Sequence, residues 1–293
     1  MNGIIIIDKP KGRTSHDMVS FMRRMTGIRR IGHTGTLDPM ATGVLPICIG
    51  SATKISDMLT MSDKGYRAEL ILGKTTDTQD AEGKVLTECR VEGISEDDIR
   101  NAVNGFIGEI EQIPPMYSAI KHNGKKLYEL ARQGIEIERK RRRVNIYSID
   151  ILNVDMNSFK VTIEVVCSKG TYIRTLCHDI GQSLGVGAYM NMLRRTKTGC
   201  FTIEDAYTLD EIEKMRDEGT LESKLMSPDN MFKEYEALYL NEKQTKSIKN
   251  GVRMTWRGAQ NGCRYRLYGN DGEFLCVSEL IDGRLHIVKT FWN

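Results

Sequence analysis

The residues best placed to do chemistry lie in one stretch, Gly32-His33-Thr34-Gly35-Thr36-Leu37-Asp38-Pro39-Met40-Ala41-Thr42-Gly43. It offers a single carboxylate, Asp38, among hydroxyl and N–H donors. Pro39 stiffens the segment, because proline fixes its own φ and biases the preceding residue toward extended backbone. The glycines at 32, 35 and 43 permit conformations closed to other residues and let a ligand approach the main chain. A carboxylate presented this way can serve as nucleophile or as general acid or base. An Asp in a loop more often bonds its own backbone, so the stretch alone leaves both readings open.

Other chemistries lack their residues. Gly73-Lys74-Thr75 resembles the end of a phosphate-binding loop, but Ala68 stands where the first glycine belongs. No GxGxxG, HExxH or GxSxG pattern is present, which removes the common routes to nucleotide cofactors, zinc proteolysis and serine hydrolysis. The seven Cys form no CxxC pair and are odd in number, so the reading is no metal, no disulfide framework and a reducing, cytoplasmic location. No run approaches the ~20 apolar residues of a membrane span, and the Ile4–Ile7 run reads as a buried strand and not as part of a signal peptide.

With 42 Lys+Arg against 39 Asp+Glu the net charge is only +3. Local basic clusters stand out nonetheless: Arg139 to Arg143, Arg23-Arg24 with Arg29-Arg30, and Arg194-Arg195 with Lys197. One such run is usually a solvated face. Three of them favour a polyanionic partner.

The elements that must position Asp38 follow from periodicity. Strands are predicted at Ile4–Ile7, Val44–Ile49 and Gly65–Gly73, the last with Tyr66, Ala68, Leu70 and Leu72 on one face. A helix capped by Thr14 or Ser15 runs to about Met25, and Gly32–Gly43 is a loop. Further helices are expected at Ser95–Val103, Lys125–Gln133, Ile173–Leu184 and Asp210–Gly219, with strands at Val144–Val154 and Phe159–Cys167. Beyond a shift near residues 227–236, short β-like runs separated by glycine turns suggest a small all-β appendage. Strands mixed irregularly with helices favour an α+β fold over a doubly wound one.

The stretch GHTGTLDPMATGVLPICIG resembles the catalytic motif of the TruB family of tRNA pseudouridine synthases. GIIIIDKPKGRTSHD, GKTTDTQDAEG, IPPMYSAIKHNGKKLYELARQG and CSKGTYIRTLCHDIG resemble other segments of that family, in the family's order, over about residues 3–205. The resemblance implies a pseudouridine synthase fold: a mixed, mostly antiparallel central sheet flanked by helices in residues 1–232. A PUA-like RNA-binding β domain would occupy 233–293. It also implies isomerisation of a uridine to pseudouridine in the T loop of tRNA (position 55), by a stand-alone monomer needing no cofactor, guide RNA or protein partner.

On that model Asp38 is the nucleophile, attacking the anomeric carbon or base C6 or assisting glycal formation. Tyr66 stacks on the target base, and Arg174 holds Asp38 ionised. His33, Tyr172, Leu193, Lys9 and Asp80 match positions at or near the substrate pocket, Asp80 as a carboxylate behind Tyr66 or Arg174. For Tyr66, Tyr172 and Leu193 ordinary core packing is the competing explanation. Arg174 at a helix start opposes the helix dipole, which by itself hints at a role. Phosphate contacts from Arg139–Arg143 and Arg194-Arg195 would supply salt-dependent affinity.

Overall fold

In the computed structural model, which describes residues 1–292, the chain opens with β1 (Gly3–Lys9), α1 (Ser15–Thr26), β2 (Ile31–His33) and β3 (Thr42–Ile49). A single turn, α2 (Ser56–Thr60), leads into β4 (Lys64–Leu72) and a small hairpin of β5 (Lys74–Thr76) and β6 (Val85–Glu88). Next come α3 (Glu96–Asn104), β7 (Gly108–Gln112), a second hairpin of β8 (Lys121–His122) and β9 (Lys125–Lys126), and α4 (Leu127–Ala131). The long pair β10 (Arg142–Asp155) and β11 (Lys160–Cys167) precedes α5 (Ile173–Ser183) and β12 (Ala188–Thr198). Short strands β13 (Phe201–Thr202) and β14 (Ala206–Tyr207) and helix α6 (Leu209–Asp217) follow. The chain ends in β15 (Glu236–Tyr239), α7 (Glu242–Lys249), β16 (Met254–Thr255), β17 (Arg264–Tyr268), β18 (Phe274–Ile281) and β19 (Arg284–Thr290).

Local signals account for the main elements. Thr14 caps α1 and shares a capping box with Asp17, while Gly27 closes the helix at φ 71°. Met18, Val19, Phe21 and Met22 form its buried stripe. In β4 the face carrying Ala68, Leu70 and Leu72 is buried and places Tyr66 on the same side. β1 is apolar at four successive positions because both of its faces are covered. Ile5 and Ile7 enter the main core. Ile4 and Ile6 pack with Phe201, Phe232, Phe274 and Phe291, which joins the C-terminal strands to the back of the large sheet.

That large sheet has the order β14-β1-β3-β12-β4-β11-β10-β7, with β2 beside β3 and β13 beside β12. Its pairings are antiparallel except β1 with β14 and β3 with β12. The fold is thus α+β with a mixed, mostly antiparallel sheet, and the last five strands form a separate sheet ordered β15-β17-β18-β19-β16. Two details differ from the sequence expectation. Lys125 and Lys126 are extended, and the helix there is only Leu127–Ala131. Central strand β12 carries no clean alternation, because bulges at Met190/Met192 and Arg195/Lys197 shift its register.

β12 is also where the two halves of the sheet meet. It pairs with β4 along its length but touches β3 only through Arg194 with Thr42 and Arg195 with Gly43. At that joint Gly43 has φ 102°, and a Cβ there would stand 2.2 Å from the Arg195 carbonyl oxygen. Gly43→Ala is therefore expected to destabilise the protein by about 2–5 kcal/mol, through strained φ together with overpacking. Denaturant unfolding monitored by circular dichroism measures this, and a loss under about 1 kcal/mol would show that the joint tolerates a side chain.

Candidate active site

Asp38 owes its position to backbone anchors on both sides. Ser15, in the first turn of α1, accepts a hydrogen bond from Leu37 N (2.8 Å) through Oγ and donates to Leu37 O (3.2 Å). Pro39 O accepts from Lys9 Nζ (3.2 Å) and from Gly12 N (2.8 Å), and Ala41 N donates to Asp38 O (3.0 Å). Lys9 is fully buried and also donates to Pro10 O and Arg13 O. Burial brings its ammonium down to about 8, with nearby Asp38 pulling the other way. The loop is a clamped turn, with Gly35 (φ 80°) and Gly43 supplying the left-handed residues, whereas Gly32 sits in ordinary backbone.

The carboxylate meets Arg174 in the first turn of α5, Nε to Oδ2 at 3.1 Å. The same guanidinium reaches Asp80 Oδ2 (3.4 Å) and Thr78 O (3.2 Å) through Nη1 and Tyr117 O (2.9 Å) through Nη2. The Arg174 side chain is only 6 % exposed, the Asp80 side chain 7 %, but the Asp38 side chain 38 %. A cation at a helix N-terminus loses roughly 0.3–1 kcal/mol to the dipole. The ion pair with Asp38 and the hydrogen-bonded one with Asp80 outweigh that, since a charge-assisted bond is worth roughly 1.5–3 kcal/mol. Burial at the pocket floor raises the Asp38 carboxyl above its ordinary range. Arg174 and Lys9 pull it down and Asp80 pushes it up.

Asp80 is itself fixed by Thr78 Oγ1 (2.6 Å) and Glu82 N (3.1 Å), both donating to Oδ1, and its loop docks on β12 through Ala81 N to Met190 O (2.9 Å). Buried Gln112 at the end of β7 aligns Tyr172, accepting from its N (3.0 Å) and donating to its O (3.2 Å). These elements enclose a cavity of about 240 Å³ whose walls include Asp38, Tyr66, Tyr172, Arg174, Leu193 and Arg195. That is small beside typical ligand pockets of about 300–1,000 Å³ and suits one compact cyclic unit. Burial raises the Tyr66 and Tyr172 phenols, which stay protonated near neutrality.

Of the eight residues singled out from sequence, Asp38, Tyr66, Tyr172, Arg174 and Leu193 share this cavity. Asp80 and Lys9 stand behind its wall, the first through Arg174 and the second through Pro39 O. Half-buried His33 pairs on β2 opposite Ile47 and is not among the lining residues. Its Nδ1 is buried without a partner, and burial with Arg195 and His16 nearby lowers its basicity. Sequence reasoning passed over Gln112, Lys64 and the loop-latching role of Ser15. It also misassigned Arg195, which is 1 % exposed and cannot be an outward phosphate contact. Arg194, the other half of that pair, is held by Asp8 at 2.7 Å.

One consequence is a titration. The Asp38 carboxyl, followed by carbon-13 NMR, should titrate above the ordinary ~3.9, and Arg174→Gln should move it higher by about 1 unit or more, because an opposite charge at this range favours the ionised form. An unchanged or lower value in that variant would mean the ion pair does not hold the charge.

Residues 23–173 match the family described as TruB family pseudouridylate synthase (N terminal domain), and residues 174–235 match tRNA pseudouridylate synthase B C-terminal domain. A protein named tRNA pseudouridine synthase B from Clostridium perfringens is 46% identical over 280 residues, 94% of each chain. One of the same name from Clostridium tetani is 49% identical over 254 residues, 87% of this chain and 86% of that one. A solved Cbf5-Nop10-Gar1 complex contains a chain that superposes with TM-score 0.71 at 25% identity, over 99% of this chain and 85% of that one. The family model and the relatives agree, and the chain belongs to the TruB family of pseudouridylate synthases.

Proposed function

We propose that this protein isomerises uridine to pseudouridine in the T loop of tRNA, at position 55, with Asp38 as nucleophile, as a monomer and without guide RNA. The observation that carries the reading is the Asp38–Arg174 ion pair at the floor of a cavity walled by Tyr66, Tyr172 and Leu193. The relatives' names give the substrate class.

A uridine in a folded arm must be extruded to reach this carboxylate, at a cost of a few kcal/mol. Tyr66 offers a face for the base to stack on, and stacking returns about 1–3 kcal/mol. In the reaction the N1–C1′ bond breaks, a C5–C1′ bond forms, C5 loses its proton and N1 gains one. Asp38 Oδ meets C1′ or C6, and splitting the exchange through a carboxylate adduct lowers a hard barrier into two smaller ones. On this reading the Tyr66 hydroxyl takes part in removing the C5 proton.

The reading divides the chain into a synthase domain, 1–232, and a PUA-like RNA-binding domain, 233–293. In support, the second sheet has its own core around Leu267, Leu275 and Leu280. Tyr239 on that sheet is 70 % exposed and stacked on Tyr268 at 5.2 Å, a platform suited to nucleic acid. No helix among the described residues is long and apolar enough to cross a membrane. We place the protein in the cytoplasm with its substrate.

Two measurements test the proposal. Asp38→Asn should abolish pseudouridine formation in a tRNA transcript while leaving tRNA affinity within a few fold. Retained activity would remove Asp38 from the chemistry. The Arg139–Arg143 run contributes less than its charge suggests, because Arg141 lies 3.9 Å from Glu111 and Arg143 lies 3.5 Å from Glu109. Replacing Arg141 and Arg143 by Gln should weaken binding and flatten log K against log[salt] by less than the ~0.7 per removed contact of an unpaired cation. An unchanged slope would show those charges face only solvent.

A further inference from the structure

Arg195 is the largest fully buried side chain in the protein, and it faces the cavity. Its Nε donates to Val44 O (2.7 Å) and its Nη2 to Gly35 O (3.2 Å), so it ties the two ends of the Asp38 loop. Its position on β12 is directly opposite Tyr66 on β4, and the Tyr66 hydroxyl is its side-chain neighbour. Gly35 adjoins the guanidinium: a Cβ there would stand 3.4 Å from Nη1, an ordinary contact. Among the described residues no carboxylate lies in salt-bridge reach of this guanidinium; its hydrogen-bond partners are two backbone oxygens, with Tyr66 opposite on β4. A buried cation with no counter-charge is costly, and proteins keep one where a negative charge is to arrive.

The other cations at the site are already committed. Arg174 is shared by Asp38 and Asp80. Lys64 lines the cavity but gives its ammonium to Leu59 O, Thr60 O and Ser62 O, and Lys9 gives its own to Pro10 O, Arg13 O and Pro39 O. Arg195 has five N–H groups and two carbonyl bonds, which leaves donors for the phenol and for the cavity.

We propose that Arg195 stabilises the negative charge that the base acquires during isomerisation, donating toward a uracil oxygen on the Tyr66 side of the pocket. This rests on the uridine isomerase reading. The charge arises on either route to the product. Attack of Asp38 at C6 pushes an electron pair onto C5 and O4. Heterolysis of N1–C1′ leaves the pair on N1, shared with O2 and O4. C5 then bonds C1′ with that pair, and the Asp38 carboxylate departs from whichever carbon it had bonded, C1′ or C6. The C5–H pair becomes the C5–C6 double bond as the proton leaves, N1 takes a proton, and the charge on the base is gone. A cation fixed beside the base is thus engaged most strongly between the two stable states, as transition-state stabilisation requires.

The test compares two substrates in single turnover with saturating enzyme: a T-arm RNA with uridine at the target and the same RNA with 5-fluorouridine. Fluorine stabilises the base anion by itself, so that substrate needs Arg195 less. Arg195→Met should slow loss of the target nucleoside by about 10²–10³-fold for uridine, the usual effect of removing one such donor. It should cost at least tenfold less for 5-fluorouridine. Arg195→Lys, which keeps the charge, should retain the wild-type ratio between the two substrates even where both rates fall. Folding is checked by thermal melting, and Arg195→Gln replaces the Met variant if the latter is unfolded. Equal losses on both substrates in the neutral variant would reduce Arg195 to a tie for the loop. A Lys variant with a ratio as disturbed as the neutral one's would also overturn the proposal. If the wild-type protein converts neither substrate, it is the isomerase reading that fails.

Discussion

One guanidinium shared between two carboxylates sets the terms for the rest of the site. Arg174 is nearly inaccessible, Asp80 equally so, and of the three side chains Asp38 is the exposed one. Desolvating three charges is expensive, and the arrangement survives because each guanidinium edge has an acceptor: Asp38, Asp80 with Thr78 O, and Tyr117 O. Asp80, engaged by Thr78 and Glu82, fixes the arginine from behind and leaves Asp38 as the carboxylate exposed to the cavity.

The backbone obeys the same constraint from the other direction. A carboxylate that must meet an incoming carbon atom cannot wander by an ångström. Ser15 therefore grips Leu37, while Lys9 and Gly12 grip Pro39, and Arg195 binds Gly35 O and Val44 O at the two ends of the turn. These grips come from β1, α1 and β12, and the sheet order β1-β3-β12 brings the distant last strand beside the first part of the chain. The sheet is wide because it has to bring the Asp38 loop, Tyr66 on β4 and the start of α5 around one cavity.

How much of this could be read beforehand depended on how local the signal was. α1, β1, β4, β11 and α5 carry strong patterns, and the structure has them within a few residues of expectation. The five cavity residues named in advance came through family resemblance in motifs, with Asp38 also visible from its Gly- and Pro-rich setting. β12 was not legible because two bulges and an Arg-Arg pair break its alternation. Arg195 reads in sequence as half of a basic cluster. Its burial follows from the pairing of β12 between β3 and β4, long-range contacts with no local trace. Gln112 and Ser15 were invisible for the same reason, since each acts on the backbone of a segment remote in the chain.

The account stands or falls on a single carboxylate working on one extruded nucleoside with no other macromolecule present. The most direct measurement is nucleotide-resolution mapping of pseudouridine in an unmodified tRNA transcript incubated with the purified protein alone. The account predicts one modified site, the uridine at position 55 in the T loop. No pseudouridine, conversion only when a second RNA is supplied, or conversion at uridines outside that loop would contradict it.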